Sequence, residues 1–428
     1  MLSVYTIIPP KASASFYYRL DVPIRTAEDL GLPVKVLVDT DSASIPEQER
    51  IDGFCNADVL LLYQPVGDSP IRNVRGIQSF IPSLRDGEWK WPPTVVLESD
   101  DNLFNVSPLN QAFRTLGIRD MDGNMIPPGH HIGIIRDGER RILWRDGEKG
   151  FSIGANRQRI NSYRKLLEMA DCVQVSTAGV GEAMKKELTP RRLKVWPNLV
   201  RMDDYEQVDL REDPKTIKIL WQGGIAHYED WFPLRDALGK ITKKYPEVHW
   251  IIWGAQFPWV NELIPAHRYT FKSWCAYHEY KLRLAMIGHD ISLAPLTNNV
   301  FNSCRSAIKW YESSVLRKPV ATLAQNTGAY KDEIEDGMTG MLFNDPEEFE
   351  DKLSTLIEDA RLRIDLGRNA KDWISENRDA RKKVPEMVQY WTQLREERKR
   401  EQPHVTPEHW AEIEAEAQQE QESAALHA

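Results

Sequence analysis

Two α/β domains, each built on a parallel sheet, are what this 428-residue sequence predicts. Three observations lead there. The length suits two domains of roughly 200 residues better than one. Short apolar runs alternate with helical stretches along both halves, the pattern of βαβ units. The alternation stops at a polar, acidic segment, MDDYEQVDLREDPKT at 202–216, which reads as a linker, and then restarts.

The first half, 1–201, opens with LSVYTII at 2–8, a strand, and a small polar loop that holds Ser13 and Ser15. A helix is expected over about 16–30, stopped by Gly31 and carrying Arg19. Further apolar runs stand at 34–38, 58–62 and 95–97, the last leading into Glu98, Ser99, Asp100 and Asp101. Ligands of parallel sheets gather at the carboxyl ends of strands, which places Ser13, Ser15, Arg19, Asp100 and Asp101 at the functional edge. Residues 117–156 break the alternation. Asp-Gly turn signals surround the runs IGII and RILW, which predicts one or two inserted β-hairpins. The insert carries His130 and His131. Paired His can ligate a metal, but no Cys, Asp or Glu stands at ligand spacing, so a loop shaping an acceptor pocket is expected, with His131 on it. A helix at 160–170, a strand at 172–177, a helix at 180–188 and LKVWPNLV at 193–200 complete this half.

The second half, 217–375, begins with IKILWQGG, a strand running into Gly223 and Gly224. A helix, the strand HWIIWGA at 249–255, a short strand near 268–274 and a helix at 277–287 follow. Next comes DISLAPLTNNVFNSCRSAIKWYE at 290–312: an apolar strand, an Asn-rich loop, and a helix with Asn302 or Ser303 placed to cap it. On that helix Arg305, Lys309 and Glu312 fall at i, i+4 and i+7 and share a face, beside an apolar stripe of Ile308, Tyr311 and Val315. A helix N-terminus with two added cations suits a diphosphate, and a carboxylate one turn on suits sugar hydroxyls. The plain alternative is a solvated face with a surface ion pair. KPVATL at 318–323 is a strand, and helices are expected at 347–357 and 361–373. A mixed-charge C-terminal helix spans 376–400, and a Glu/Gln/Ala-rich polar tail spans 401–428.

Composition narrows the class. With 41% hydrophobic and 28% charged residues and a mean hydropathy of -0.50, the chain reads as a soluble globular protein. No apolar run approaches the roughly 20 residues that span a bilayer, and MLSVYTIIPP has no basic n-region. The four cysteines, Cys55, Cys172, Cys275 and Cys304, form no C-x-x-C pair, which argues against a zinc site or a disulfide scaffold and for a reducing, cytoplasmic setting. Net charge is -9, but residues 1–200 hold 25 basic and 25 acidic residues, and 136–165 hold nine basic against four acidic. The acidic whole argues against avid non-specific DNA binding, while the basic segment leaves room for an anionic acceptor.

Four stretches carry a resemblance: WQGGIAHYEDW at 221–231, similar to a G-x-x-x-H-x-x-D loop; DISLAPL…FNSCRSAIKWYE at 290–312; KPVATLAQNTGAYKDEIEDGMTGML at 318–342; and ADCVQVST with WPN at 196–198, plus the Asp pair after LES. In this order they resemble GT-B glycosyltransferases, most closely glycosyltransferase family 4 and its relatives in bacteria and phages. The resemblance implies a GT-B fold of two Rossmann-like domains facing a central cleft, with a nucleotide-sugar as co-substrate, no other cofactor, no metal, and retention at the anomeric carbon. It implies Glu312 for the nucleotide ribose, with Asn302 and Tyr330 near the donor. Two departures stand out. Cys304 replaces the first of two glutamates the family carries eight positions apart, and Gln222, Gly223 and Gly224 replace an Arg and a Lys after the first strand of the donor domain. Arg305 and Lys309 are then left to supply the phosphate charge.

Further roles follow from residue chemistry. Gly223 and Gly224 let backbone N–H groups approach phosphates, or simply make a tight turn. His227 is expected with Asp100 and Asp101 in the catalytic set, contacting donor or phosphate; the plain alternative is a helix-capping or structural His. Asp100 and Asp101 are expected as an acceptor-side pair, a general base or a structural cap; a D-x-D-type metal site is the rival. Two other functions stay open: transfer to hydroxylated bases of phage DNA, and a non-catalytic nucleotide-sugar or carbohydrate-binding protein with a degenerate site.

Overall fold

The computed structural model describes residues 1–7, 14–39, 53, 56–65, 74–75, 83–85, 88–136, 139–205, 215–224 and 227–401. Ser13, Cys55 and the tail from 402 onward lie outside the described residues.

Two six-stranded sheets organise the chain. The first contains β1 (Leu2–Ile7), β2 (Val34–Asp39), β3 (Val59–Tyr63), β6 (Thr94–Ser99), β9 (Cys172–Val175) and β10 (Leu193–Val195), in the order β2-β1-β3-β6-β9-β10. A short hairpin, β4 (Ser83–Arg85) with β5 (Glu88–Lys90), precedes β6. Every pairing in the sheet is parallel. VLLLY in β3 and TVVLES in β6 are apolar runs because helices cover both faces of a parallel sheet.

The insert forms one hairpin, β7 (His131–Arg136) with β8 (Glu139–Arg145), carrying a register shift at Ile132/Gly133. Its inner residue Trp144 anchors it, stacking near Phe113 and Phe151 and donating from Nε1 to the Pro108 carbonyl at 2.6 Å.

The second sheet contains β11 (Ile217–Gly223), β12 (Val248–Gly254), β13 (Tyr269–Lys272), β14 (Ile291–Ala294), β15 (Ala321–Gln325) and β16 (Met341–Phe343), all parallel, in the order β13-β12-β11-β14-β15-β16. The order reverses between β11 and β14, and the crevice at such a reversal is where α/β sheets bind ligands.

Two elements differ from the sequence reading. The helix expected over 16–30 is three pieces: a turn at Ala14–Phe16, a π-helical turn at Tyr17–Asp21, and a helix at Val22–Asp29. The wide π turn aims both Tyr17 and Tyr18 inward. The linker is anchored at its start: Tyr205 is 2% exposed and Asp204 is bound to Tyr17 and Lys281, while 206–214 lie outside the described residues. The C-terminal helix, Ala380–Glu401, returns to the first sheet. There Trp391 Nε1 donates to Gln174 at 3.2 Å, and Arg398 pairs with Asp171 at 3.0 Å. Among the described residues no helix is long and apolar enough to cross a membrane.

Candidate functional site

A cleft of about 290 Å³ lies where the carboxyl ends of the two sheets face each other. From the first half it is lined by Ser15, Tyr18, Asp100, Asp101 and Asn198. From the second half come the β11 end, Gln222 to Gly224, then His227, and then Arg305, Lys309, Glu312 and Tyr330. Trp253, Trp274, Cys275 and Tyr280 form one rim.

The 290–312 stretch is built differently from the expectation. The helix starts only at Ile308 and ends at Ser314, so neither Asn302 nor Ser303 caps it. Asn302–Cys304 is a 3-10 turn, and Arg305 sits on extended backbone (φ -74, ψ 148). Tertiary packing overrides helix propensity here. A Cβ on Gly179 would lie 2.9 Å from the Ser303 carbonyl, and one on Gly328 would lie 3.0 Å from it, so the turn is wedged between two glycines. Arg305 therefore does not share a helical face with Lys309 and Glu312, yet all three still reach the cleft. Asn302 does not line it. Its side chain donates to Asp230 at 3.2 Å and to the Thr297 carbonyl at 2.9 Å.

His227 and Asp230 make a second unit. Asp230 Oδ1 accepts from the Thr297 backbone at 2.6 Å, and Oδ2 faces His227 Nδ1 at 2.6 Å. Burial, then the nearby Lys309, pushes His227 down to about 4, so the ring is neutral at neutral pH. With its proton on Nδ1, Nε2 is a hydrogen-bond acceptor; that suits a hydroxyl rather than a phosphate oxygen. A Cβ on Gly223 would meet the His227 ring at 2.8 Å, so only glycine leaves this backbone open beside the imidazole.

Lys309 is the least satisfied group in the cleft. Its Nζ is buried and has no hydrogen-bond partner among the described residues. Burial lowers its pKa to about 8, with Arg305 adding to the effect and Asp230 and Glu312 opposing it. Glu312, three residues on, is 5% exposed, and burial pushes it up to about 7. Tyr18 donates to its Oε1, and the single hydroxyl of Tyr280 lies 2.8 Å from its Oε2 and 2.7 Å from Gln222 Oε1. Arg305 lies over the Phe301 ring, 5.9 Å from its centroid, and forms no ion pair among the described residues.

On the opposite wall, burial and then Asp100 raise Asp101 to about 6, against the pull of Arg305. Asn198 bridges to Asp100 at 3.4 Å and to Ser306 at 2.9 Å, tying the two halves together.

Two acceptor-side expectations do not reach the cleft. Arg19 is 3% exposed and committed to the interior: Nε donates to Glu98 at 3.0 Å, Nη2 to the same carboxylate, and Nη1 to the Trp196 carbonyl and to Asn198. It positions Asn198 from behind. His131 stands exposed on the hairpin, outside the cleft lining. The basic segment is partly engaged by the protein's own groups. Arg157 donates to the Ile126 carbonyl, Arg159 to Thr115 and Asn156, and Arg164 pairs with Glu187. No three His, Cys, Asp or Glu side chains converge as a metal ligand set among the described residues.

Sequence reasoning missed Tyr18, Tyr280, Trp253, Trp274 and Ser306. Tyr18 and Tyr280 lie 262 positions apart in numbering and are joined through Glu312, so no local pattern marks them.

No protein-family model matches the chain, and no curated protein matches it in sequence. Solved structures do match in shape. Sucrose-phosphate synthase from Thermosynechococcus elongatus superposes with a TM-score of 0.60 at 12% identity, over 92% of this chain and 99% of that one. HepE from Anabaena, solved with UDP, gives 0.56 at 13% identity, over 91% and 100%. A glycosyltransferase from Rickettsia africae gives 0.58 at 11% identity, over 92% and 98%. Nearly full-length agreement with these proteins, on two parallel six-stranded sheets facing one cleft, shows that the chain has the GT-B fold.

Proposed function

We propose that the chain is a glycosyltransferase that moves a sugar from a nucleotide-sugar donor to a hydroxyl of a neutral acceptor, a glycan or another polyol. One observation carries this reading: at the reversal point of the second sheet, Lys309, whose buried Nζ has no hydrogen-bond partner among the described residues, and Arg305, which has no ion pair among them, stand beside Glu312 and the open Gly223–Gly224 backbone. Two cations suit a diphosphate, a carboxylate suits a ribose diol, and neutral His227 suits a sugar hydroxyl. A similar fold, Anabaena HepE, has been solved with UDP-glucose. The charge that builds on the departing diphosphate would be met by Arg305 and Lys309, an electrostatic task. In the step itself, the bond from the anomeric carbon to the diphosphate oxygen breaks and a bond to the acceptor oxygen forms.

The acceptor wall supports a neutral acceptor. Asp100 and Asp101 line it; their carboxylates accept from hydroxyls and repel phosphates, and Ser15 and Asn198 beside them also pair with hydroxyls. The carboxylates weigh against DNA, as does the pairing of Arg157, Arg159 and Arg164 with groups of the protein itself.

Where the acceptor proton goes separates two forms of the reaction. Retention, which the resemblance implies, sends it to the departing diphosphate. Asp101, raised to about 6 in the cleft, favours a second form in which it takes the proton and the configuration inverts. The anomeric configuration of the product, read by NMR, decides between them.

The test of the function is release of nucleoside diphosphate from a panel of nucleotide sugars offered with polyol acceptors. Release that Lys309→Ala abolishes supports the transferase. Tight binding with no release from any donor leaves a binding protein instead.

A further inference from the structure

Glu312 is held from both halves of the cleft. Tyr18, on the π-helical turn of the first half, donates to Oε1, and the hydroxyl of Tyr280, on the Tyr277–Ala285 helix of the second half, lies 2.8 Å from Oε2. Tyr18 is 2% exposed, and the Tyr205 hydroxyl lies 3.1 Å from its own. Because the single proton of Tyr18 serves Glu312, Tyr205 is the donor in that contact. The neighbouring residues repeat the crossing: Lys281, next to Tyr280, donates to the hydroxyl of Tyr17 at 2.8 Å and to Asp204 at 2.9 Å. Two adjacent tyrosines of the first half thus engage the second, Tyr18 at Glu312 and Tyr17 at Lys281.

The two contacts differ in what a ligand does to them. Tyr17, Lys281 and Asp204 do not line the cleft, whereas Tyr18, Tyr280 and Glu312 all do. The carboxylate best placed for a ligand diol is therefore occupied by tyrosine hydroxyls, one of them from the opposite half. At 5% exposure Glu312 offers little surface for a further hydroxyl.

We propose that Tyr18 is a gate on the diol subsite: a nucleotide's ribose hydroxyls take Glu312 by displacing the Tyr18 hydroxyl, while Tyr17–Lys281 keeps the halves joined. This rests on the donor-site reading above and adds a residue of the first half to ligand selection. It makes the gain from a ribose diol smaller than an open carboxylate would give, because each new hydrogen bond replaces an old one. It also links ligand binding to release of one contact between the halves.

The test compares a ligand with and without the diol. Dissociation constants are measured by calorimetry for UDP, ADP and GDP, and then for the 2′,3′-dideoxy form of the tightest. Both the parent chain and Tyr18→Phe are used, at about pH 8 so that the carboxylate is ionised. The gate predicts that Tyr18→Phe binds the ribonucleotide roughly ten-fold tighter, the scale of one hydrogen bond to a charged group, and binds the dideoxy form like the parent. Equal changes for both ligands, no change for either, or weaker ribonucleotide binding each overturn the gate and leave the donor-site reading standing. A parent chain that binds none of the three nucleotides overturns both. If Tyr18→Phe does not fold, Tyr205→Phe removes the hydroxyl behind Tyr18 and gives the same diol-specific gain at smaller size; no gain there overturns the gate.

Discussion

Each half of the chain buries a cation near a carboxylate, the first behind the cleft and the second in it, and the two sets follow opposite rules. In the first half Arg19 spends its guanidinium on Glu98, Trp196 and Asn198, with side-chain exposures of 2% for Arg19 and 1% for Glu98. In the second half Lys309 and Glu312 stand three residues apart on one helix, yet Lys309 Nζ has no partner among the described residues and tyrosines answer Glu312. A buried charge without a partner is costly, and a fold keeps one where a ligand supplies the missing half. Charge matched inside the protein holds the structure; charge left unmatched at a cleft belongs to a ligand. Arg19 looked equally functional in the sequence, and only its partners separate the two cases.

The largest effect expected from this contrast is on stability. Arg19→Met strands Glu98, whose pKa burial already raises, as an uncompensated interior carboxylate. Breaking a buried pair in this way costs about 3–5 kcal/mol, to be read from urea unfolding. Lys309→Met should cost nothing, or should stabilise, because it removes an unpaired buried cation. Comparable losses for both variants would dissolve the contrast. The next effect runs the other way. Lys309→Met should weaken nucleoside diphosphate binding about ten- to hundred-fold, the worth of a hydrogen bond to a charged group, measured by calorimetry. Unchanged binding in Lys309→Met would remove Lys309 from the site. Arg305→Ala should weaken it by a smaller, few-fold factor, since Arg305 is partly exposed and already lies over Phe301.

The parallel-sheet architecture was legible because each strand is a short apolar run between turn signals, as VLLLY and TVVLES show. The second-half stretches were legible for the same reason: strand ends, glycines and charges lie close together in sequence. What failed was decided by distant contacts. Asn302 reads as a cap, but the Gly179 and Gly328 backbones press against its turn and Asp230 takes its amide. Arg19 reads as an edge residue, but the π turn rotates it under Glu98, 79 positions away. Tyr18 is invisible in sequence because its meaning lies 294 positions on, at Glu312.

The smallest and most diagnostic prediction concerns pH. Burial lowers Lys309 from 10.5 to about 8 in the folded chain, so the unfolded chain holds more protons between those values. The destabilising contribution of Lys309 is then complete below about pH 8 and is relieved as pH rises toward 10.5. Glu312 is raised from 4.5 to about 7, so the folded chain holds the extra proton; that contribution is complete below 4.5 and is lost as pH rises through about 7. Ligand binding needs the opposite forms, an ionised Glu312 for the diol and a charged Lys309 for the phosphates. Nucleoside diphosphate affinity should therefore peak between about pH 7 and pH 8. Lys309→Met should flatten the alkaline limb alone. Glu312→Gln should flatten only part of the acid limb, because the terminal phosphate of the ligand also titrates, at about pH 6. A profile that stays level in the parent chain across this range, or one whose alkaline limb survives in Lys309→Met, would mean that the unmatched lysine does not face the phosphates.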